Sequence, residues 1–439
     1  MITVSQPVTP EKSVFSAFVG LDWADQKHDL VLYDPQSGKP EPQQLPHTPE
    51  AIDAWACALR QRFGGGPIAL CFEQSPTTAA RRCPAIAYAL LKYDFLILFP
   101  LPPTRLAAYR ESFVSSGAKN DASDAALLLD YLLRHRDQLR VWQPDTSATR
   151  ELQMLAEARR DAVDQRTRLS NQLTAVLKRY FPQALTLVGC DVDTPLACAF
   201  LAKWSSLASV QRAAPATLRA FYYAHRCRQE ERIVERLALV KSAIPLTDDP
   251  ALIQASSLQV QCLVPQLRAL HQAIEKYEHR LSELMDEHPD APLYFALPGA
   301  GDALAPRLLV AFGTDRQRFQ AAEELQTLSG VAPVTKRSGK SRIIHRRWAC
   351  PKFLLQTFHE FAYCSRKKSP WAKAFYLYQR ARGKGHHAAL RALAFKWIRI
   401  LFRCWKTNTP YCEDRYLDAL RRRNLPLLAF LTIPLPDAH

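Results

Sequence analysis

The chain has 439 residues, 48% of them hydrophobic, and a formal net charge of +16 at pH 7. This composition is typical of a folded protein with room for two or three domains, and it excludes a disordered chain. No uninterrupted apolar stretch is long enough to span a bilayer, and no secretory signal is visible among the first residues. The eleven cysteines are scattered without a CxxC pair, which argues against a structural zinc site and favours reduced thiols. We therefore expect a cytoplasmic protein without a membrane partner.

The positive charge is concentrated in one segment near the C-terminus. Between Lys336 and Lys406 there are nineteen Lys and Arg residues and one acid, Glu360, whereas the rest of the chain has a balance of −2. A solvated surface normally mixes both signs, so a segment of one sign predicts a surface that binds a polyanion. Nucleic acid is the expected partner.

From residue 14 to about residue 103, the sequence alternates between strand and helix patterns. The pieces "FSAFVGLDWA" and "KHDLVLYD" predict strands, and "DPQSGKPEP" predicts a turn. A helix in "TPEAIDAWACALRQRF" precedes a buried strand in "GPIALCFEQS". A helix from about Pro76 to Lys92 and the strand "FLILFPL" complete the series. This order predicts a mixed sheet with flanking helices, of the α/β class, in a domain over residues 1–149.

The next segment, residues 150–290, is predicted to be helical. A long amphipathic pattern runs from Arg150 to Phe181, and a heptad series runs from Leu263 to Leu284 in steps of four and three. Pro265 falls early in that series and predicts that the regular helix begins there. Two interpretations of the heptads are open: a helical hairpin closed within one chain, or an intermolecular coiled coil that joins a homo-oligomer, either a dimer or a tetramer. The region from about 183 to 258 has no assigned role.

A third segment, residues 291–410, is predicted to form a mainly helical domain, followed by a tail over 411–439. Its last helix, near Trp405, has an apolar face that is expected to lie in the core. Lys396, Arg399, Arg403 and Lys406 form a cationic stripe on another face of this helix, where phosphates can reach it.

Acidic residues stand at the ends of predicted strands and at the start of one helix. Asp22 ends the first strand and Glu73 ends a later strand, while Asp121 and Asp124 lie one turn apart in "AKNDASDAALLLDYLL". Taken alone, the last two most simply cap a helix and offset its dipole. Together with the strand-end acids, they would form a cluster of hard oxygen ligands suited to Mg²⁺, with one or two ions. Such clusters support phosphodiester chemistry.

The same residues carry a family resemblance. "GLDWA", Glu73 and "KNDASDA" resemble the DEDD set of the RuvC-like, RNase H-fold domain in insertion-sequence transposases of the IS110 family. "LPGAGDALAPRLL", "LQTLSGVAP" and "KRSGKS" are similar to that family's C-terminal transposase domain, and the motifs occur in the family's order. The resemblance implies a DNA recombinase that cuts and rejoins donor and target DNA, with Mg²⁺ held by the four carboxylates. It also implies a serine nucleophile and, in at least some members, guidance by a structured bridge RNA.

The resemblance places the family's serine at Ser338. The position suits a nucleophile, because Arg337 and Lys340 can hold a phosphate and Gly339 permits close approach of the backbone. Without the resemblance, a Ser-Gly step in a basic loop is most simply a turn.

Alternatives to Ser338 lie close by, at Ser341 and at Ser329, and Ser329 is expected to pack against the preceding helix. No histidine has triad spacing to the serine, and His345 is only close in sequence. The resemblance implies a composite centre in which the carboxylates and their metal approach the serine, from the same or another protomer. Downstream of the serine, "HRRWACPKFLLQTF" departs from the family pattern.

The residues expected to contact DNA or RNA are basic or stand next to the serine. They are Lys119, Lys336, Arg337, Gly339, Lys340, Arg342, Arg346, Arg347, Lys352, Lys396, Arg399 and Arg403.

Two rival functions fit parts of this pattern. In a metal-dependent nuclease, such as a junction resolvase, the carboxylates would do all the chemistry without a serine. In a non-catalytic nucleic-acid-binding protein, the acids would only cap helices and form hydrogen bonds. Salt-dependent binding of nucleic acid is expected of the recombinase and of both rivals, so it does not distinguish among the three functions.

Overall fold

The computed structural model describes residues 15–74, 85–112, 121–189, 191–339 and 341–433. No helix within these ranges is long and apolar enough to cross a membrane. Contacts group the chain into two compact units: unit 1 is Met1–Arg150 with Gln317–Gln356, and unit 2 is Glu151–Arg316 with Thr357–His439. Unit 1 thus includes part of the predicted third segment. The four-part division at 149, 290 and 410 stays a prediction.

Unit 1 contains a mixed sheet, as the alternating patterns predict. The strands are β1 (Ala17–Asp22), β2 (Lys27–Tyr33), β3 (Pro40–Pro46), β4 (Ile68–Glu73) and β5 (Leu96–Leu101). The helices that accompany them are α1 (Pro49–Arg62), α2 (Ala85–Leu90), α3 (Pro103–Glu111) and α4 (Asp121–His135). The strand order is β3-β2-β1-β4-β5, with β1 antiparallel to β2, β2 antiparallel to β3, and the β1–β4 and β4–β5 pairs parallel. This topology is consistent with the RNase H-like fold that the resemblance implies.

The third strand corrects the prediction of a turn over "DPQSGKPEP". The turn is shorter than predicted, and β3 begins at Pro40 and pairs with β2 along its whole length. Proline cannot donate to a sheet ladder, so the sequence argues against a strand. β3 lies at the edge of the sheet, where only one side is paired, and Pro40, Pro42 and Pro46 are tolerated there.

Each face of the sheet has its own core. On one face, Val19 and Leu70 pack with residues of α1 and α2, including Ile52. On the other face, Ala69 and Cys71 pack with residues of α4, including Leu128 and Leu132. Because side chains alternate along a strand, these clusters fix which residues of β1 and β4 face α4.

The first part of unit 2 is helical, as predicted. Its helices are α5 (Ser147–Tyr180, which begins in unit 1), α6 (Ala184–Val188), α7 (Pro195–Lys203), α8 (Leu207–Gln211), α9 (Pro215–Ala224), α10 (Glu230–Ser242) and α11 (Pro250–Glu287). The short helices between α5 and α11 bury an aromatic cluster of Phe200, Trp204 and Phe221 against these two long helices. The region of unassigned role is therefore a packed helical element and not a loop.

The heptad series lies on α11, where its face is largely buried within the single chain. Leu267, Ile274 and Leu281 are at most 5% exposed. Ion pairs between Arg159 and Glu278 and between Arg280 and Glu151 join α11 to α5. This packing is that of a helical hairpin closed within one chain, one of the two interpretations of the heptads. The predicted helix start at Pro265 is wrong, since α11 begins at Pro250 and includes that proline.

The C-terminal part adds seven helices and a β-hairpin within the described residues. They are α12 (Ala291–Phe295), α13 (Gly301–Phe312), α14 (Ala322–Leu328), β6 (Val334–Ser338), β7 (Ser341–His345), α15 (Lys352–Lys368), α16 (Pro370–Ala381), α17 (His386–Thr407) and α18 (Glu413–Arg422). The apolar face of α17 lies in the core, as predicted, with Trp397 and Trp405 buried. The Trp405 indole donates to the Gly313 carbonyl at 2.7 Å, which fixes the end of α17 against the loop that follows α13.

Candidate active site

Two of the predicted acidic residues end neighbouring parallel strands. Leu21 of β1 is in register with Phe72 of β4, so Asp22 and Glu73 occupy the next positions on adjacent strands. Both are half-buried. The Trp23 indole donates to the Glu73 backbone carbonyl at 2.9 Å and ties the two strand ends together. By strand alternation, both carboxylates belong to the face that α4 covers.

A glycine allows α4 to lie directly on β1. A Cβ at Gly20 would lie 2.1 Å from the Ala125 carbonyl oxygen and 2.6 Å from the Leu129 nitrogen, so no other residue fits here without a shift of the helix. At the other end of α4, the Arg136 guanidinium lies 5.1 Å from the ring of Phe15, just before β1. α4 therefore runs antiparallel to β1, and its first turn lies toward the strand end that carries Asp22.

Asp124, in the first turn of α4, is paired with an arginine. Its side chain is 0% exposed, and Arg110 of α3 donates to it from Nε at 2.8 Å and from Nη2 at 2.5 Å. Asp121 is the first residue of α4, but its side chain lies outside the described residues, as does Lys119. The fold thus brings the backbones of all four predicted ligand residues toward the same edge of the sheet.

The donor chemistry fits a hard divalent cation, since all four predicted ligands are carboxylates. Their arrangement fits it less well, because a guanidinium occupies both oxygens of Asp124. Among the side chains that the structure describes, no group of three or more His, Cys, Asp or Glu residues is close enough to hold a metal ion. A metal that takes Asp124 as a ligand would therefore have to displace Arg110 from its carboxylate.

Two nearby residues were missed from the sequence. Asp29 lies opposite Asp22 on β2, and Gln44 donates to its carboxylate at 3.0 Å. The sequence could have indicated Asp29, because this acid stands directly before the buried apolar run of β2. Nothing in the sequence marks Arg110 among the many arginines of the chain.

The predicted serine lies at the tip of the β6–β7 hairpin. Ser338 is exposed and is in register with Ser341, and Gly339 in the turn between them has a φ of +53°. His345 is in register with Val334 at the opposite end of the hairpin, four residues and about 13 Å along the strand from Ser341. His345 is therefore not placed to deprotonate Ser338.

The alternative serines differ in accessibility. Ser341 is exposed beside Ser338 at the hairpin tip. Ser329 is 0% exposed, and its hydroxyl donates to the Gln326 carbonyl at 3.3 Å, so it packs against α14 as expected. Of these three serines, only the two at the hairpin tip are open to a DNA phosphate.

Most of the predicted nucleic-acid contacts that the structure describes are at the surface. Lys336, Arg337, Gly339, Arg346, Lys352, Arg399 and Arg403 are exposed, whereas Arg347 and Lys396 are half-buried. Burial lowers the pKa of Lys396, and the neighbouring Arg399 and Arg423 lower it further. Lys340 and the side chain of Arg342 lie outside the described residues.

The one acid of the basic segment is used inside the fold. Glu360 on α15 accepts from Arg307 of α13 at 2.5 Å and from Arg160 of α5 at 3.0 Å. Arg307 is 2% exposed, so its charge needs this partner. Glu360 consequently does not offset the positive surface of the segment.

Comparisons with known proteins cover both parts of this arrangement. Residues 19–182, which include all four predicted carboxylates, match the family model of the DEDD transposase of IS110. Residues 293–377, which include the hairpin, match the model described as "Transposase IS116/IS110/IS902 family". Together the two matches cover more than half of the chain.

The chain is also similar to curated proteins along most of its length. It is 27% identical over 406 residues to the "Mini-circle putative transposase for IS117" of Streptomyces coelicolor, covering 91% of this chain and 96% of that protein. It is 27% identical over 400 residues to the "Insertion element IS110 uncharacterized 43.6 kDa protein" of the same organism, covering 90% and 95%. It is 25% identical over 317 residues to the "Insertion element IS900 uncharacterized 42 kDa protein" of Mycobacterium paratuberculosis, covering 70% and 77%. The chain belongs to the IS110/IS116 family of transposases.

Proposed function

We propose that this protein is the transposase of an insertion sequence and that it cuts and rejoins DNA through a serine–phosphodiester intermediate. The observation that carries the proposal is the ordered pair of family matches, one over the acidic sheet and one over the basic hairpin. The excess of positive charge in the second region supports DNA as the substrate.

In the proposed reaction, the Ser338 oxygen attacks a DNA phosphorus atom. A bond forms between the serine oxygen and phosphorus, the bond from phosphorus to one deoxyribose oxygen breaks, and a DNA hydroxyl leaves with a proton. A hydroxyl of a second DNA end then attacks the phosphoserine, which restores the serine and joins the new strand. Arg337, exposed beside the serine, supplies positive charge to the phosphate oxygens during both steps.

The proposal assigns Mg²⁺ to Asp22, Glu73, Asp121 and Asp124. When bound, the metal supplies positive charge that stabilises the negative charge developing on the reacting oxygens. Because His345 stands at the far end of the hairpin, the proton of Ser338 needs another acceptor. We assign this role to a carboxylate of the acidic edge, which approaches the serine when a homo-oligomer assembles on DNA.

The partners in this proposal are donor DNA, target DNA and a structured guide RNA. The guide RNA rests on the family resemblance alone. The basic surface near the C-terminus would hold the DNA and RNA backbones, through contacts that carry charge and not sequence.

The test is the capture of the covalent intermediate. End-labelled DNA of the element's termini, the flanking transcript and Mg²⁺ are incubated with full-length wild type, Ser338→Ala, Ser341→Ala and Asp22→Asn, and the products are separated on a denaturing protein gel. We expect a labelled protein band with wild type and with Ser341→Ala, and no such band with Ser338→Ala. A band that is lost only in Ser341→Ala would move the nucleophile to that residue.

The adjacent register of Asp22 and Glu73 favours one second candidate, a metal-dependent nuclease or junction resolvase. Under this alternative, Ser338→Ala leaves DNA cleavage intact, Asp22→Asn abolishes it, and no protein becomes labelled. The same gel therefore separates the two functions.

A further inference from the structure

One large aromatic side chain close to the hairpin is left exposed. Trp348 follows β7, and its side chain is 78% exposed. Trp371 and Tyr376, which lie farther along the same basic segment, are 0% and 4% exposed and belong to the core. An exposed indole has an apolar face that is available to stack on a flat ligand, and its neighbours decide which kind of ligand fits.

The exposed indole is paired with a cation. The Arg346 guanidinium lies 4.6 Å from the centroid of the Trp348 ring. A guanidinium at this distance holds the ring by a cation–π interaction, while most of the indole stays open to a ligand. The pair therefore presents a flat apolar surface and a positive charge side by side, as a nucleotide requires for its base and its phosphate.

The surroundings of Trp348 select a polyanion. Residues 331–356 contain seven Lys and Arg residues and no acid. Ile343 and Ile344 of β7 are 53% and 58% exposed, and because adjacent strand residues point to opposite faces, both faces of the hairpin are open. An apolar protein partner would not require this one-sided charge, whereas a nucleic acid strand does.

We propose that Trp348 stacks on an unpaired base of a nucleic acid strand whose phosphate is held by Arg346. The assignment rests on the proposed function for the class of partner, and it adds recognition of an unpaired nucleotide beside the hairpin that carries Ser338. In the interior of a duplex both faces of each base are already stacked on neighbours. An unpaired base of a single strand offers a free face to the indole.

The experiment compares three ligands of equal length: single-stranded DNA, single-stranded RNA of the same sequence, and the blunt DNA duplex. Each has a fluorophore at one end, and the affinity of the full-length protein is measured by anisotropy over a range of salt concentrations. The variants are Trp348→Ala and Trp348→Phe. Phe295→Ala is the matched control, because Phe295 is an aromatic residue that is 43% exposed outside the basic segment.

We expect Trp348→Ala to weaken binding of a single strand on the order of 10-fold and to leave duplex binding unchanged. The dependence on salt should stay the same, since no phosphate contact is removed. Trp348→Phe should restore most of the affinity, and Phe295→Ala should behave as wild type. The strand that loses affinity, DNA or RNA, identifies the source of the base.

Three results would overturn the assignment: an equal loss on duplex and single strands, no loss on any ligand, or a change in oligomeric mass, which would place Trp348 in a protein interface. If wild type binds duplex DNA and Trp348→Ala binds single strands as well as wild type does, the stacking role is rejected but the proposed function is not. Wild type that binds none of the three ligands would reject the proposed function as well.

Discussion

Arg110 and Asp124 form a two-point ion pair, with Nε–Oδ1 and Nη2–Oδ2 distances of 2.8 and 2.5 Å, in which the carboxylate is fully buried. The arginine side chain is 18% exposed. The guanidinium thus provides the charge and the hydrogen bonds that a buried carboxylate needs. In the predicted metal site, a divalent cation would have to take over this role.

Removal of Arg110 should destabilise unit 1. We expect Arg110→Gln to lower the free energy of unfolding by about 3–5 kcal/mol, because the Asp124 carboxylate is left buried and uncompensated. Denaturant unfolding measures the change. Arg134→Gln, which breaks the exposed pair with Asp130, is the matched control and should cost at most about 1 kcal/mol. Equal effects of the two variants would contradict the structural role of Arg110.

Magnesium should rescue the same variant. With Arg110→Gln, the Asp124 carboxylate lacks its guanidinium, so a cation that binds the folded state should raise the unfolding temperature more than it does for wild type. Thermal unfolding with and without Mg²⁺ measures this. The rescue should disappear in the double variant Arg110→Gln/Asp124→Asn. A rescue that persists in the double variant would show that the ion binds elsewhere.

A methyl group on Gly20 should separate α4 from the sheet. The added Cβ would overlap the Ala125 carbonyl oxygen, so we expect Gly20→Ala to lower the free energy of unfolding by about 1–3 kcal/mol. Gly385→Ala is the control, because no atom lies within 4 Å of the position that its methyl group would take, and its cost should stay below about 1 kcal/mol. A Gly20→Ala protein as stable as wild type would mean that the helix can move away without loss.

Replacement of Glu360 should lower the stability of the fold, because it leaves the buried Arg307 without its carboxylate partner. Glu360→Gln removes the carboxylate that faces Arg307, and we expect a loss of about 3 kcal/mol in the free energy of unfolding. Asp418→Asn breaks an exposed pair with Arg421 and should cost under about 1 kcal/mol. Chemical denaturation of both variants checks the difference, and similar values would place Arg307 in a better solvated site than its burial indicates.

Acid should destabilise unit 1 through one histidine. His28 is 1% exposed, accepts a hydrogen bond from the Ala24 N–H at Nδ1 and shares a hydrogen bond of 2.9 Å with His47. Burial lowers the pKa of His28 from 6.5 to about 4, and the neighbouring His47 contributes to this shift. The unfolded chain therefore binds this proton first, so the stability contributed by neutral His28 is complete above pH 6.5 and is lost as the pH falls toward 4. Between pH 7 and pH 5 the loss should be about 2 kcal/mol. Denaturant unfolding at the two pH values measures it, and His28→Gln should reduce the difference; an unchanged difference would assign it to other groups.

The acidic strand ends could be predicted because the end of each apolar run marks the end of its strand in the sequence. "FVGLD" and "IALCFE" are apolar runs closed by a carboxylate, and parallel pairing of β1 and β4 brings the two carboxylates to the same edge. The edge strand β3 could not be predicted, because its prolines oppose a strand unless one side of it is unpaired. Whether a strand lies at an edge depends on the whole sheet and not on its own residues.

Two further features depend on tertiary structure. Pro265 ends a helix by local rules, yet Leu263, Val264 and Leu267 are buried around it, and their packing holds α11 together through the proline. Arg110 meets Asp124 only because α3 lies beside α4, and no local pattern in "PTRLAAYRES" predicts that packing.

The division of the chain also affects how unit 1 is made. Its two segments, up to Arg150 and from Gln317 to Gln356, are separated in sequence by a long helical stretch that belongs to unit 2. Ribosomes therefore release the sheet with its carboxylates well before the hairpin with its serine, and unit 1 reaches its final form only through late, long-range contacts. A nascent or truncated chain that stops before residue 334 contains the acidic edge without the hairpin, so under the proposed function it lacks the serine that would attack DNA.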